Sequence, residues 1–407
     1  MEKVHACCAG LDIHKESVWA CVRRDDQQFI RDFGTTSRDL LELGDWLASH
    51  QVTIAAMEST GVFWKPVWNL LEDRFELMLV NAQHIKQVPG RKSDVKDCAW
   101  IAQLLEHGLL KASFVPPRPQ RELRDLTRQR TQLLRDRARV VNRIHKTLQD
   151  GNIKLSSVAA DISGKSGMRI LHALVEGKLT PEQMAGLVDE RMKKKTQQII
   201  AALQGRMRDH HRFMLKELLG QIDYLDGMID TFDGRIVEVM TPLELEVVKR
   251  LDVIPGFDTR TGQNVIAEIG TDMSRFPTPQ HLSSWAGMCP GSHESAGKRK
   301  SGRTRKANAW LRVALAQAAW GAGRTHDSYY HAQFHRLVKR RGKKRALVAV
   351  GHSLLETVYC MLSRSEQYKE LGRDYFERKN TPQQQAEHLV KKLQRLGYSV
   401  ELKARAA

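Results

Sequence analysis

The sequence lacks any run of eighteen apolar residues, so no segment is predicted to cross a membrane. Residues 1–5 have no apolar core of the kind that secretion signals carry. Cysteine is sparse and forms no CxxC pair and no Cys/His ligand spacing. The six positions are Cys7, Cys8, Cys21, Cys98, Cys289 and Cys360. A disulfide frame and a zinc site are excluded on this basis, and reduced thiols in the cytoplasm are expected.

Acidic residues are too few to balance the basic ones. Lys and Arg number 65 and Asp and Glu 47, which leaves a formal net charge of +18. An acidic solvating protein is therefore excluded, and a polyanionic partner is indicated, most simply nucleic acid. With 41% hydrophobic and 28% charged residues, the 407-residue chain has the composition of a folded protein of two or three domains.

The first 115 residues combine strand and helix patterns. Apolar runs and alternation predict strands over residues 4–11, 16–23, 28–33, 52–57 and 77–80. Helical spacing predicts helices over residues 37–49, 63–72 and 95–107. Three strands followed by alternating helices and strands predict a mixed sheet covered by helices.

The chain after Pro119 reads as helical. Apolar residues recur at spacings of three, four and seven over residues 118–150, which predicts a coiled-coil-like seam interrupted by Arg130 and Arg137. The seam consists of Leu123, Leu126, Leu133, Leu134, Val141, Ile144 and Leu148. Two interpretations stay open: an intermolecular coil, or a helix that packs on its own domain. A second long helix over 213–240 can run back along the first.

These patterns predict an α/β domain followed by all-α regions. The expected boundaries are 1–115, a helical coiled-coil or linker region at 116–241, a small helical domain at 242–365, and a helical tail at 366–407. An apolar-Pro-Gly turn at 251–257 between two helices predicts a helix-hairpin-helix. That turn either holds a phosphate at the following helix N-terminus or is purely structural.

Four carboxylates stand out in the first domain. Asp12 and Glu58 end predicted strands, and Asp94 and Asp97 share one face of a helix at i and i+3. Any one of them is more simply a cap or turn residue. All four at element ends of one domain suit Mg²⁺ or Mn²⁺, which prefer oxygen ligands. Two such ions can clamp the attacking and leaving oxygens of a phosphodiester.

Two basic runs follow in the C-terminal part. Residues 298–306 hold six cations in nine positions, and residues 339–345 hold six in seven. A single run predicts only a solvated surface, whereas two favour contact with nucleic acid and a steep salt dependence. The candidate contacts are Lys298, Arg299, Lys300, Arg303, Arg305, Lys306, Lys339, Arg340, Arg341, Lys343, Lys344 and Arg345.

Three segments resemble the motifs of the DEDD transposases of bridge-RNA-guided insertion sequences, which are related to Piv-type DNA invertases. They are GLDIHK at 10–15, ESTG at 58–61 and KSDVKD at 92–97. The resemblance implies a ribonuclease-H-like, RuvC-like fold for residues 1–115, in agreement with the predicted order of strands and helices. It carries the catalytic, metal-binding D-E-D-D set over to Asp12, Glu58, Asp94 and Asp97.

A second resemblance lies at residues 286–298, AGMCPGSHESAGK. It is similar to the family's small transposase domain, and it implies that Ser295 is the nucleophile, with Ser292 as the alternative. Two departures are present: Asp258 stands where Gly-x-Gly is usual in the turn, and Glu294 and Ala296 flank the serine where many members have Ser and Gly. The two resemblances together cover about residues 4–150 and 245–320.

The resemblance implies an insertion-sequence transposase that cuts and rejoins DNA by Mg²⁺-assisted serine transesterification. A structured bridge RNA would pair with donor and target DNA, in the bacterial cytoplasm and on the nucleoid. A serine needs activation, and metal held by the carboxylates can supply it, since no GxSxG elbow is present. Because serine and carboxylates lie far apart in sequence, a homodimer or tetramer held partly by the long helices is expected.

Three other functions fit parts of the sequence. A RuvC-like nuclease or Holliday-junction resolvase would use water, so Ser295→Ala would leave cleavage intact. A non-catalytic nucleic-acid-binding protein would be indifferent to Asp12→Ala and Glu58→Ala. An actin-like or sugar-kinase-like ATPase would need further glycine-rich phosphate and adenosine segments, which the sequence lacks.

Overall fold

A computed structural model describes residues 3–59, 61–81, 94–291, 293–295, 298–304, 307–378 and 382–400. The chain divides into two compact units, Met1–Pro117 and Arg118–Ala407. Each unit is described by itself below.

The first unit is built on a five-stranded sheet. Its strands are β1 (Cys7–Ile13), β2 (Val18–Arg24), β3 (Gln27–Phe33), β4 (Ile54–Glu58) and β5 (Glu76–Val80). Its described helices are α1 (Ser37–Ser49), α2 (Trp64–Leu71) and α3 (Asp94–Glu106). The strand order is β3-β2-β1-β4-β5, with β1 to β3 antiparallel and with β4 and β5 parallel to β1. The predicted mixed α/β sheet is confirmed.

Strand boundaries differ from the predicted ones at two points that matter for the site. The first strand begins at Cys7 and continues to Ile13, so that Asp12 lies within it. The fourth strand runs to Glu58. Between β2 and β3, Asp25 and Asp26 both have positive φ, 50° and 64°, which closes a two-residue hairpin.

Both faces of the sheet are covered. Leu11 and Met57 lie in a core with residues of α1 and α2. Cys8 and Ile54 lie in a second core with Leu105 of α3. Because neighbouring residues of a strand face opposite ways, Cys8, Gly10 and Asp12 share the face that α3 covers. Helix α3 therefore covers the face of the sheet on which Asp12 lies.

The second unit is mostly helical, as predicted. In order, its helices are α4 (Arg118–Asp150), α5 (Lys165–Glu176), α6 (Pro181–Ala185), α7 (Glu190–Lys193), α8 (Thr196–Leu203), α9 (Asp209–Val239), α10 (Pro242–Leu251), α11 (Thr259–Ile269), α12 (Pro279–Trp285), α13 (Ala309–Ala322), α14 (Tyr329–Arg341), α15 (Lys343–Arg364), α16 (Tyr375–Arg378) and α17 (Pro382–Arg395). A short 3-10 turn, Leu155–Ser157, follows α4. Two strands, β6 (His293–Ser295) and β7 (Lys298–Ser301), pair antiparallel between α12 and α13.

Helices α4 and α9 pack along each other within the chain. Leu133 and Ile144 of the predicted seam share a core with Ile222 of α9. The two arginines that interrupt the seam are paired: Arg130, 1% exposed, donates to Asp233, and Arg137 forms two hydrogen bonds with Asp226. The apolar face of α4 is thus covered by its own unit, which is the second of the two interpretations, a helix that packs on its own domain.

Helix α15 is the one segment, among the described residues, with the length and apolarity to cross a membrane. Its residues Ala346, Val350, Leu354 and Val358 are buried in the same core as α13. Such burial is typical of the central helix of a folded unit, so α15 is weak support for a membrane span.

Candidate functional site

Asp12 and Glu58 are neighbours at the ends of two parallel strands. Leu11 of β1 pairs with Met57 of β4, and each carboxylate follows its strand's paired residue by one position. The same register places Glu58 beside Val80 of β5. Asp12 is only 9% exposed. The sheet therefore brings these two sequence-predicted residues together at the carboxyl ends of two adjacent strands.

Gly10 brings α3 to the same place. A Cβ atom at Gly10 would lie 2.3 Å from the backbone nitrogen of Ala102 and 2.3 Å from the carbonyl oxygen of Cys98. Only glycine tolerates so close an approach of a helix backbone to a strand. The part of α3 that directly follows Asp97 is thereby held over β1. The role of Gly10 was missed in the sequence, although a glycine inside an apolar strand can mark a close approach of another backbone.

The negative charges of Asp97 and Glu58 both affect the pKa of Asp12. Burial raises the pKa of Asp12, and the negative charges of Asp97 and Glu58 raise it further, whereas His14 lowers it. The Nε2 atom of His14 lies 3.1 Å from the Oδ2 atom of Asp12. His14, which directly follows β1, was not predicted as a site residue.

The donor chemistry at this edge fits a hard divalent cation. Asp12, Glu58 and Asp97 offer carboxylate oxygens, which Mg²⁺ and Mn²⁺ prefer, and a cation there would relieve the mutual repulsion that raises the pKa of Asp12. Among the described side chains, no three His, Cys, Asp or Glu residues are close enough to hold an ion together. Asp94 begins α3, but its side chain lies outside the described part.

Ser295 belongs to a two-stranded β-ribbon in the second unit. It is the last residue of β6 and pairs with Lys298 of β7. At the foot of the ribbon, Pro290 and Thr304 form a bridge. Charged, glycine-rich sequence lacks the apolar alternation that marks a strand, which is why the ribbon was missed.

Some residues of the segment around the predicted nucleophile, and some of the first basic run, lie outside the part of the chain that the structure describes. Ser292, Arg305 and Lys306 are outside the described residues, and the side chains of 293–301 are not described. Lys298, Arg299 and Lys300 lie on β7, and Arg303 follows it with an exposed side chain. The choice of Ser295 over Ser292 stays a prediction.

The second basic run forms a corner between two helices, here called the basic corner (residues 339–345). Three cations occupy the last turn of α14 and three the first turn of α15, on either side of Gly342, whose φ is +77°. All six side chains are exposed. Cations suit a helix C-terminus but oppose the dipole at an N-terminus. The N-terminal trio therefore weakens α15 locally, and an anion bound there would compensate.

The predicted helix-hairpin-helix turn joins α10 to α11. Asp258 caps α11, with its Oδ1 atom 2.7 Å from the backbone nitrogen of Thr261. Gly256, at φ +86°, lies so close to α13 that a Cβ atom would be 2.1 Å from the carbonyl oxygen of Ala318. A carboxylate at this helix N-terminus disfavours a phosphate there, so the structural interpretation of the turn is the better one.

Two family descriptions match the chain. A DEDD transposase family of the IS110 type, described as "Transposase", matches residues 9–153, and "Transposase IS116/IS110/IS902 family" matches residues 248–336. The chain belongs to the IS110 family of DEDD transposases. The resemblance predicted from the motifs is confirmed, and this IS110-family protein is a DNA transposase.

The IS110-family transposase also matches a curated relative. It is 24% identical over 296 residues to the transposase for insertion sequence element IS1111A from Coxiella burnetii (strain RSA 493 / Nine Mile phase I). The match covers 72% of each chain. The four carboxylates and Ser295 of the transposase fall inside the two family matches, 9–153 and 248–336.

Proposed function

We propose that this transposase cuts and rejoins DNA by serine transesterification. The observation that carries the metal-assisted part of the proposal is the pairing of β1 with β4, which sets the buried Asp12 beside Glu58 on the sheet face covered by α3. A buried carboxylate beside a second one costs stability, and binding of a divalent cation would offset that cost. Asp12, Glu58, Asp94 and Asp97 would hold Mg²⁺ or Mn²⁺, which stabilises charge on the phosphodiester oxygens.

In the proposed reaction Ser295 Oγ attacks phosphorus. The new P–O bond forms as the bond to the leaving sugar oxygen breaks, and the serine proton passes to solvent or a base. The leaving strand ends in a hydroxyl, and the protein carries a phosphoserine ester. A hydroxyl of the other DNA then attacks this ester and releases the serine. Each step exchanges one phosphate ester for another, so rejoining needs no nucleotide triphosphate.

A RuvC-like fold of residues 1–115 is part of the proposal. The sheet order β3-β2-β1-β4-β5, with three antiparallel strands followed by two parallel ones, supports it. We assign residues 116–241 to a helical linker, 242–365 to the serine-bearing domain and 366–407 to a helical tail. Reaction would require the serine of one chain to reach carboxylates of the same or a partner chain.

Nucleic-acid binding is assigned to the ribbon and the basic corner. The exposed cations of the corner, three of them at a helix N-terminus, support phosphate contact. Donor and target DNA are the proposed substrates, and the family resemblance adds a bridge RNA. Purification from the bacterial host under mild conditions, with sequencing of bound RNA, tests that partner.

A homodimer or tetramer is proposed through the outer face of α9. Gly220, Gly227 and Gly234 are seven residues apart, and a Cβ atom on any of them would meet nothing within 4 Å. Phe213 extends this seven-residue spacing and is 61% exposed. Glycine inside an exposed helix costs about 1 kcal/mol relative to alanine. A second helix can approach closely at these glycines, and the contacts that it makes there would offset this cost.

The deciding experiment traps the covalent intermediate. Wild type, Ser295→Ala and Ser292→Ala are incubated with donor and target DNA, co-purified RNA and Mg²⁺, and protein–DNA adducts are resolved under denaturing conditions. We expect adducts from wild type and Ser292→Ala, and none from Ser295→Ala. Cleavage by Ser295→Ala without an adduct would instead establish the alternative, a RuvC-like nuclease or Holliday-junction resolvase that uses water.

A further inference from the structure

A buried carboxylate of α11 joins three elements of the second unit. Glu268 is 2% exposed and lies within the helix. Arg128 of α4 donates two hydrogen bonds to this carboxylate: its Nε atom is 2.7 Å from Oε1 and its Nη2 atom is 2.8 Å from Oε2. Asn308 donates its side-chain amide to Oε2 at 2.6 Å. A buried charge held this way is costly to disturb.

Both polar atoms of the Asn308 side-chain amide form hydrogen bonds. Its Oδ1 atom accepts hydrogen bonds from the backbone nitrogens of Trp310 and Leu311, each at 3.1 Å, and thereby caps α13. Its Nδ2 atom is the donor to Glu268. Capping alone would need only an oxygen, as serine or aspartate provides. The amide of asparagine adds the second contact, which determines where the chain enters α13.

That entry point is the foot of the ribbon that carries Ser295. Thr304, four residues before Asn308, bridges Pro290 on the opposite leg. The backbone nitrogen of Gly291 donates to the carbonyl oxygen of Arg303 at 3.1 Å. Arg312 of α13 donates to the hydroxyl of Thr304 at 3.2 Å. Both legs of the ribbon are therefore tied to the first turn of α13.

We propose that Glu268 and Asn308 form a clamp that positions the ribbon for the reaction of Ser295. They are positioning residues and touch neither DNA nor metal. The inference rests on the proposed function, since it assigns the clamp to the serine's strand. Strand direction at the foot sets where the nucleophile lies, and a displacement of about 1 Å can slow a reaction about 100-fold.

Two substitutions of Asn308 test the clamp, because both keep the capping oxygen and both lose the donor to Glu268. Asn308→Asp keeps an excellent cap but sets two carboxylates against each other. Asn308→Ser keeps an oxygen that can cap α13 and removes only the amide donor to Glu268. Thr180→Ala is the matched control, because Thr180 caps α6, away from the ribbon. DNA-adduct formation, DNA affinity, Tm and amide hydrogen exchange over 289–304 are measured for each full-length variant.

We expect Asn308→Asp to slow adduct formation about 10-fold or more, with unchanged DNA affinity, and to speed exchange at the ribbon foot. Asn308→Ser, which loses the donor without adding a charge, should show the same two changes to a smaller extent. Thr180→Ala should lower Tm alone. Slow adduct formation without faster exchange at the foot, or an Asn308→Ser protein indistinguishable from wild type, would overturn the clamp.

The exchange measurement separates the clamp from the serine mechanism. If Ser295→Ala remains active, the serine assignment fails, whatever the clamp variants do. If Ser295→Ala is inactive but Asn308→Asp leaves both the adduct rate and the exchange rate at wild-type values, the clamp alone fails. Loss of Tm in Asn308→Asp that matches Thr180→Ala, with no change at the foot, also counts against it.

Discussion

Asp12 and Glu58 stand one residue beyond Leu11 and Met57, which pair across the parallel strands β1 and β4. The two carboxylates therefore lie side by side at the carboxyl ends of these strands, on the face of the sheet that α3 covers. Placing like charges together at a partly buried edge is unfavourable. Proteins keep such arrangements where a cation or a reaction uses them.

Replacing Asp12 should separate stability from activity. Asp12→Asn removes a buried negative charge from an acidic edge, so in metal-free buffer we expect a Tm equal to or above that of wild type. Recombination should fall at least about 100-fold. Mg²⁺ should raise the Tm of wild type but not of the variant. Glu42→Gln, an exposed carboxylate of α1, is the control. Equal Mg²⁺ stabilisation of both proteins would contradict metal binding at Asp12.

Gly10→Ala should displace α3. The added Cβ atom would lie 2.3 Å from two backbone atoms of the helix, and backbone cannot yield as a side chain can. We expect the free energy of unfolding, measured by denaturant titration, to fall by roughly 3 kcal/mol, together with activity. Gly164→Ala is the control, because its Cβ atom would meet only ordinary contacts. A fully stable, active Gly10→Ala protein would show that α3 is not held by this approach.

Neutralising the first turn of α15 should weaken nucleic-acid binding uniformly. Replacing all three cations of 343–345 by Gln should lower the slope of log affinity against log salt by about 0.9 for each phosphate that the protein no longer neutralises. Tm should hold or rise, since these cations oppose the helix dipole. The control replaces the exposed lysines 193–195 by Gln. Fluorescence anisotropy over a salt series measures the slope for each protein. Equal slopes for wild type and the 343–345 variant would show that the basic corner does not contact nucleic acid.

Gly227→Arg should dissociate the proposed oligomer. Arginine is a good helix former, and a Cβ atom at this position meets nothing within the chain, so the folded subunit should keep its Tm. A bulky cation would block close approach of a second α9. Light scattering coupled to size exclusion should show a smaller species. Lys216→Arg, at an exposed position of the same helix, is the matched control. An unchanged oligomer would place the interface elsewhere.

Glu106→Gln should make the first unit less sensitive to acid. Burial alone would raise the pKa of Glu106, but hydrogen bonds from Lys3 and Arg23 outweigh it and leave the pKa below its usual value. The stabilisation from the carboxylate is complete above about pH 4.5 and is lost as pH falls through the lowered pKa. The variant should lose about 1–2 kcal/mol at pH 7 and show a flatter decline towards pH 3. Asp45→Asn is the control, and parallel Tm–pH curves for wild type and Glu106→Gln would refute this role.

Local patterns carried the prediction wherever a residue's environment follows from its immediate neighbours. Apolar alternation determined the strands of the sheet, and helical spacing determined α1 and α4. The positions of Asp12 and Glu58 at strand ends were visible for the same reason. The ribbon was missed because its strands are charged and pair with each other, with no apolar face to reveal them.

By itself, the sequence determined the class of both units, the basic character of the chain and the family to which it belongs, because periodicity, composition and motifs are local properties. Only the tertiary structure decided which distant groups meet. Arg130 reads as a defect in an apolar seam until Asp233, 103 residues away, accepts its hydrogen bond. Glu268 and Asn308 lie 40 residues apart and have no shared pattern. Such contacts depend on how helices cross, and crossing is set by the packing of whole surfaces.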